Sequence, residues 1–427
     1  MANVSSAEDD HRDREFARIL RGRRLESVFQ PIVQVASGAT IGYEALVRGP
    51  AGSSFADAPS LLRHAYRSGL VVEFDWAARA AACRAAMAAQ LAEGHLLFLN
   101  IEPLALGSDC PPDLWPDIEK AFALFQVVLE VTERSLDRDP RSLLEGIDRQ
   151  RPEVAGLAVD DLGANPAALS MLPILAADVI KLDQSVTQGG PTPWVMQIMD
   201  IAYEEAERTG ATILAEGVET PADVAFARSA GATLAQGRYL GPPGPLPANS
   251  RAAAVTLNVR SAPIADLATP FDALDGRSTG RADLAYITAL SRHLAERAAE
   301  LTAPALSLLL LPDPRLLTAA DRTRLALFAQ RGVVTGALGP GLPDPPATGV
   351  RGARSHDRTL DGHWATLTLS PGTASAMLAR SVPGGVDEFE FGVTHDRRRV
   401  VAAARSLLRR LGPGSPPAGH AKHGNGT

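Results

Sequence analysis

Between residues 25 and 241, short apolar stretches alternate with alanine-rich segments of helical spacing. The apolar stretches read LLFLNI, VVLEVTE, GLAVDDLG, DVIKLD, TILAEGVE and ATLAQGRYLG. Strand-length apolar runs separated by helix-length segments predict repeated βα units around a parallel sheet. Six or more such units over about 220 residues suit a closed (βα)8 barrel better than an open sheet.

The texture changes at GPPGPLPANS, residues 241–250, where proline and glycine mark a domain exit. A second region, 264–412, mixes strands and helices. ALSLLLL reads as a buried strand, and HWATLTLS and EFEFGVTHD as further strands. LTAADRTRLALFAQRG predicts a helix capped by Thr318, with Asp321 at its third position and Gly332 past its end. In DRRRVVAAARSLLRRL, apolar residues from Val400 to Leu411 form one face of a closing helix, leaving the arginines to solvent. The expected layout is a charged, irregular segment at 1–24, a barrel at 25–245, a linker at 246–263, a smaller mixed α/β domain at 264–412 and a disordered tail at 413–427.

Composition narrows the class. The chain has 427 residues, 45% hydrophobic and 21% charged, which supports sizeable cores and excludes a disordered protein. A net charge of −7 supplies no basic field for nucleic acid. The two cysteines, Cys83 and Cys110, make no disulfide framework or metal pattern. No apolar run reaches membrane-spanning length, and the acidic, polar start is unlike a secretory signal. A soluble cytoplasmic protein is expected.

In such a barrel, chemistry sits at the carboxyl ends of the strands. The polar residues there are Glu44, Asn100, Glu130, Asp160 with Asp161, Lys181, Glu216 and Gln236. A single acid at a strand end is ordinarily a helix cap or a loop charge. Glutamate is a poor capper, yet Glu44, Glu130 and Glu216 all lie embedded among apolar residues. The set is oxygen-rich and sulfur-free, which suits Mg²⁺ or Mn²⁺ rather than Zn²⁺ or copper. Adjacent aspartates can serve two cations a short distance apart, an arrangement suited to phosphodiester cleavage. The nine histidines are scattered and take no role, and LGPGLP is too proline-broken for a phosphate loop.

These residues lie within ordered motifs. Glu44-Ala45-Leu46 sits in FQPIVQVASGATIGYEALVRG, followed by LNIEP, LEVTE, DDLG, VIKLD, AEGVE and AQGRYLGPP. In this the region resembles the EAL family of cyclic di-GMP phosphodiesterases over about residues 25–243. The resemblance implies a TIM-like barrel whose first strand is antiparallel, working as a homodimer, and two-metal hydrolysis of cyclic di-GMP to linear pGpG. By position, Glu44, Asn100, Glu130 and Asp160 would hold one metal, and Asp160 with Asp161 a second. Lys181 would orient water or a phosphate oxygen, and Glu216 would be the base or its organiser. Leu46, Arg48 and Gln236 would contact substrate, and Glu133 would anchor the loop after the aspartates.

That loop departs from the family's Phe-Gly-x-Gly-Tyr-Ser-Ser. Here it reads Leu162-Gly163-Ala164-Asn165-Pro166-Ala167-Ala168, keeping only the first glycine. The second region resembles the DICT sensory domain through TPFDAL, the 308–343 segment and the closing strand and helix, without a catalytic motif. An active phosphodiesterase regulated by this domain is the leading expectation. A cyclic di-GMP receptor that binds without turnover is the alternative, favoured by the rewritten loop. A one-metal barrel lyase is disfavoured, because it would need a lysine or histidine base and no paired aspartates.

Overall fold

The computed structural model describes residues 2–132, 139–163, 166–247, 257, 264–301, 305–331, 334–353 and 357–412. Two compact units are present. The first takes in 1–133, 146–164 and 177–261, and the second 134–145, 165–176 and 262–427. No helix among the described residues is long and apolar enough to cross a membrane.

The chain opens with α1 (Ala2–Arg21) and then builds an antiparallel hairpin, β1 (Glu26–Gln34) and β2 (Thr40–Arg48). Helices α2 (Ala58–Ser68) and α3 (Val71–Ala88) lead to β3 (Leu96–Asn100). The short α4 (Pro103–Leu106) and α5 (Trp115–Leu124) lead to β4 (Gln126–Thr132), and α6 (Pro140–Gln150) to β5 (Gly156–Leu162). Then come α7 (Pro166–Leu175), β6 (Val179–Leu182), α8 (Gln184–Gln188), α9 (Pro193–Thr209), β7 (Thr212–Ala215), α10 (Pro221–Ser229) and β8 (Leu234–Ala235). Strands β2 to β8 pair in parallel, and β8 closes on β1 antiparallel, giving a closed eight-stranded barrel. The reversed first strand is thus present as expected.

Local chemistry marks the helix ends. Thr192 caps α9 ahead of Pro193, and Gly210 ends it in the left-handed conformation; Thr220 and Asp223 form a reciprocal capping box on α10. The barrel interior is apolar at its base, where Ile32, Ile41, Leu96, Phe98, Val128, Ala158, Val179, Leu214 and Leu234 pack together. Strands β3 and β4 are buried on both faces, which is why LLFL and VVL read as continuous apolar runs.

The N-terminal segment, expected to be irregular, is instead helical. Phe16, Ile19 and Leu20 of α1 are buried against Phe55, Leu61, Ala65 and Phe74. Its frequent charges lie on the remaining faces, and they outweigh the narrow apolar stripe when the segment is read alone.

The second unit carries a six-stranded sheet in the order β11-β10-β12-β13-β14-β9. Its elements are β9 (Gly280–Asp283), α11 (Leu284–Ala299), β10 (Leu306–Leu310), α12 (Ala319–Gln330), β11 (Thr335–Leu338), β12 (His363–Ser370), β13 (Thr373–Ser381), β14 (Glu388–Thr394) and α13 (Arg397–Leu408). Only β10 and β11 pair in parallel. Thr318 and Asp321 form the expected capping box on α12, while Gly332 and the tail from 413 lie outside the described residues. One expectation for α13 fails. Arg405 is not on a solvated face but 4% exposed, and its Nη1 donates to the Ile174 carbonyl of α7 at 2.7 Å. With an apolar stripe this broad, the helix is enclosed on nearly all sides, so one guanidinium must find its partner inside.

Candidate active site

The two-residue period of a strand carries the site. In six barrel strands an inward apolar residue is followed two positions later by a polar one. The pairs are Phe98 and Asn100, Val128 and Glu130, Ala158 and Asp160, Val179 and Lys181, Leu214 and Glu216, and Leu234 and Gln236. Glu44 occupies the corresponding place on β2, and its register partner on β1 is Gln30. Every strand therefore lends one polar residue to a ring above the apolar base.

Lys181 is the hub of this ring. It is fully buried, with Nζ 2.8 Å from Glu130 Oε1, 2.8 Å from Asp160 Oδ1, 2.9 Å from Glu216 Oε1 and 3.7 Å from Glu44 Oε2. Asn100 Nδ2 donates to Glu44 Oε1 at 3.0 Å, and Gln236 Nε2 donates to Glu44 Oε2 at 2.6 Å and to Gln30 Oε1 at 3.0 Å. The side chains of Asp160 and Glu216 keep 12% and 18% exposure, so the ring opens on their side.

The paired aspartates depend on a defect in β5. Val159 pairs with Ile180 and Leu162 with Leu182, so Asp160 and Asp161 together stand opposite Lys181. That is a β-bulge, and Asp161 has φ +59° within it. Consecutive strand residues normally point to opposite faces. Here the bulge re-aims the second carboxylate, at a backbone cost of about 1–2 kcal/mol that aspartate tolerates better than most residues. As a result, oxygens of Asp160, Asp161 and Glu216 lie within 4.8 Å of one another.

Five carboxylates around a single ammonium leave the site short of positive charge. Burial, reinforced by the Glu44 charge, holds Glu130 well above the usual carboxylate range. Burial and the Asp160 charge do the same to Glu216. Burial also works against ionised Glu44, but Lys181 and the hydrogen bonds from Gln236 and Asn100 outweigh it and hold that pKa low. Although burial opposes its charge, Lys181 is pushed well above its ordinary value by Asp160, Glu130, Glu216 and Glu44. Glu130 Oε2 is buried and accepts no hydrogen bond of standard geometry. A cluster of hard oxygen donors with an unsatisfied buried acceptor and too little positive charge fits a divalent cation such as Mg²⁺ or Mn²⁺.

A cleft of about 330 Å³ opens over the ring, lined in part by Glu44, Asp161, Glu216 and Gln236. Gln30, Asp183, Glu219 and Arg238 also line it and were not singled out from the sequence. Gln30 could have been found from its FQPIV motif by carrying the strand period along the reversed first strand. Leu46 and Arg48 share the Glu44 face of β2 by the strand period but do not line the cleft; Arg48 Nη1 instead donates to the Val47 carbonyl at 2.8 Å. Glu133 lies outside the described residues, as do Ala164 and Asn165 of the altered loop.

Gly163, the glycine that the loop keeps, has φ +119°, and a Cβ there would sit 2.6 Å from Val186 Cγ2. Its carbonyl accepts from Trp194 Nε1 at 3.3 Å. Gly163→Ala is expected to destabilise the fold by about 1–3 kcal/mol, read by urea denaturation. Unchanged stability would show that this backbone position tolerates a side chain.

The EAL domain matches residues 13–243. The chain belongs to the EAL domain family. It is 29% identical over 252 residues to the cyclic di-GMP phosphodiesterase NbdA of Pseudomonas aeruginosa, a match covering 57% of this chain and 32% of that one. It is 28% identical over 229 residues to the probable cyclic di-GMP phosphodiesterase PdeG of Escherichia coli, covering 52% and 45%. The matches thus span less than half the length of either relative. The solved PaMucR phosphodiesterase in complex with c-di-GMP aligns with a TM-score of 0.47 at 25% identity, over 55% of this chain and 98% of its own.

Proposed function

We propose that this chain hydrolyses cyclic di-GMP to linear pGpG by a metal-dependent reaction, with the barrel at 25–245 as catalytic domain and the DICT-like region at 264–412 as its regulator. The observation that carries this reading is the polar ring, in which paired aspartates and three glutamates surround a buried lysine. Membership of the EAL family and the names of the relatives supply the substrate. Glu44, Asn100, Glu130 and Asp160 would hold one cation, and Asp160 with Asp161 a second. Cations bound there supply Lewis-acid charge that makes water nucleophilic near neutral pH and stabilises negative charge on the phosphodiester.

The chain's own residues do the rest. Glu216 would take the proton as water attacks phosphorus, and Lys181 would donate to the water or to a phosphoryl oxygen. The bond from phosphorus to the 3′ oxygen breaks, that oxygen takes up a proton from solvent to become a free 3′ hydroxyl, and the 5′-phosphate of pGpG remains. By the family resemblance, Gln236, Leu46 and Arg48 would contact substrate, and Glu133 would anchor the loop after Asp161. The reading includes a homodimer through the barrel and a cytoplasmic location.

The receptor reading is kept because the loop at 162–168 lacks the second glycine, tyrosine and serines of the family pattern. One experiment separates the two. With Mg²⁺ or Mn²⁺, purified protein should convert cyclic di-GMP to pGpG. Excess EDTA should abolish the conversion, and Ca²⁺, larger and more loosely coordinated, should restore little. Tight binding with no product over time would select the receptor, and full turnover in EDTA would remove the metal from the reading.

A further inference from the structure

The sheet of the second unit has two unlike faces. On one, Leu306, Leu308 and Leu310 of β10 stand beside Leu369, Leu367 and Ala365 of β12. That face is uniformly apolar. On the other, Ser307 pairs with Thr368, which in turn pairs with Ser375 of β13, and Thr366 lies one step along. A row of hydroxyls thus crosses three strands inside a domain.

Above this row lies a cavity of about 50 Å³, roofed by α11 and α12. Ser307, Thr366, Thr368 and Ser291 line it, each at least nine-tenths buried. Ser291 and Thr366 satisfy one another at 2.6 Å, and Trp364 Nε1 donates to Ser291 at 3.3 Å. The hydroxyls of Ser307 and Thr368 make no such bond among the described residues and face the cavity, whereas Ser375 Oγ, which does not line it, is buried without a partner. Hydroxyls that no protein group engages leave donor and acceptor capacity free for a small molecule in the cavity, which valine or alanine there would not. Their position against a cavity shows where a partner belongs.

Size and charge limit what that partner is. One water needs about 10–15 Å³ by this kind of measure, so the space holds several small groups. Nucleotides and drug-sized molecules occupy pockets of about 300–1,000 Å³ and are excluded. Arg324 on the cavity wall is already paired with Asp321 at 3.0 Å. Arg292, also on the wall and exposed, has no acidic partner among the described residues. The available chemistry is therefore one guanidinium at the opening and unsatisfied hydroxyls within.

We propose that this cavity binds a small hydroxy- or keto-carboxylate, with its carboxylate at Arg292 and its hydroxyl or keto oxygen on Ser307 and Thr368. The proposal stands apart from the phosphodiesterase reading, because it concerns the second unit alone and is tested by binding. Thermal unfolding of the full chain should be followed with millimolar glycolate, lactate or pyruvate, and with glycerol and chloride as controls. At least one acid should raise Tm by several degrees while glycerol and chloride do not. Thr368→Val keeps the shape and removes the hydroxyl, so it should fold and lose the response at least tenfold in concentration. Arg292→Gln changes only an exposed group and should weaken the same acid by a similar factor. The site is overturned if none of the three acids shifts Tm, or if the shift survives both substitutions. An equal shift with glycerol overturns the carboxylate assignment.

Discussion

Lys181→Met should unfold at a markedly lower temperature in EDTA, and divalent cation should recover much of the loss. The Lys181 ammonium lies within 2.9 Å of three carboxylates and 3.7 Å of a fourth, with no exposure to water. Methionine fills similar volume but leaves those carboxylates facing one another without positive charge. Removing one partner of a buried ion pair costs about 3–5 kcal/mol, and here one removal strands several partners. Some carboxylates will take up protons, which limits the loss without cancelling it. Added Mg²⁺ or Mn²⁺ replaces the missing charge, so its stabilising effect should be larger in the variant than in the wild type. Turnover should stay at least about 10²-fold down even with saturating metal, because a cation in the ring does not restore the donor at Nζ. A variant as stable as wild type in EDTA would show that Lys181 does not hold the ring together.

Glu216→Gln should lose turnover by a factor on the order of 10² or more while still binding cyclic di-GMP. The substitution keeps the shape of the side chain and removes its ability to accept a proton. Glu216 sits at the end of β7, 18% exposed, with one oxygen 2.9 Å from Lys181 and another group of acids, Asp160 and Asp161, beside it. It is therefore on the open side of the ring, lining the cleft above it. Glu130, fully buried at the closed side, cannot take that role. Measuring nucleotide binding and product formation on the same preparation separates the two effects. Near-normal turnover would remove Glu216 from the proton-transfer step, and loss of binding as well as turnover would make it a metal-holding residue instead.

The barrel and most of its ring were legible in the sequence because both rest on short-range periodicity. Runs such as LLFLN and VVLEV show strands buried on both faces, and the spacing between them shows helices. Once strand ends are known, Asn100, Glu130, Asp160, Lys181, Glu216 and Gln236 follow, each two residues beyond an inward apolar side chain. The capping boxes at Thr220 and Thr318 are local in the same sense, since all their bonds lie within one turn.

What the sequence left open depends on groups distant along the chain. Gln30 joins the ring because β1 runs antiparallel and places it opposite Glu44 and beside Gln236, 206 residues away. Asp161 turns toward Asp160 and Glu216 only because β5 and β6 pair with a bulge, and register belongs to two strands together. The apolar stripe of α1 and the buried Arg405 were misjudged for a related reason: local charge density does not reveal which face a neighbour will cover. The hydroxyls of Ser307, Thr368 and Ser375 look unremarkable in three separate strands, and pairing alone sets them in one row. Periodicity along the chain determined which residues point inward; the register between strands and the packing of helices decided which of them meet.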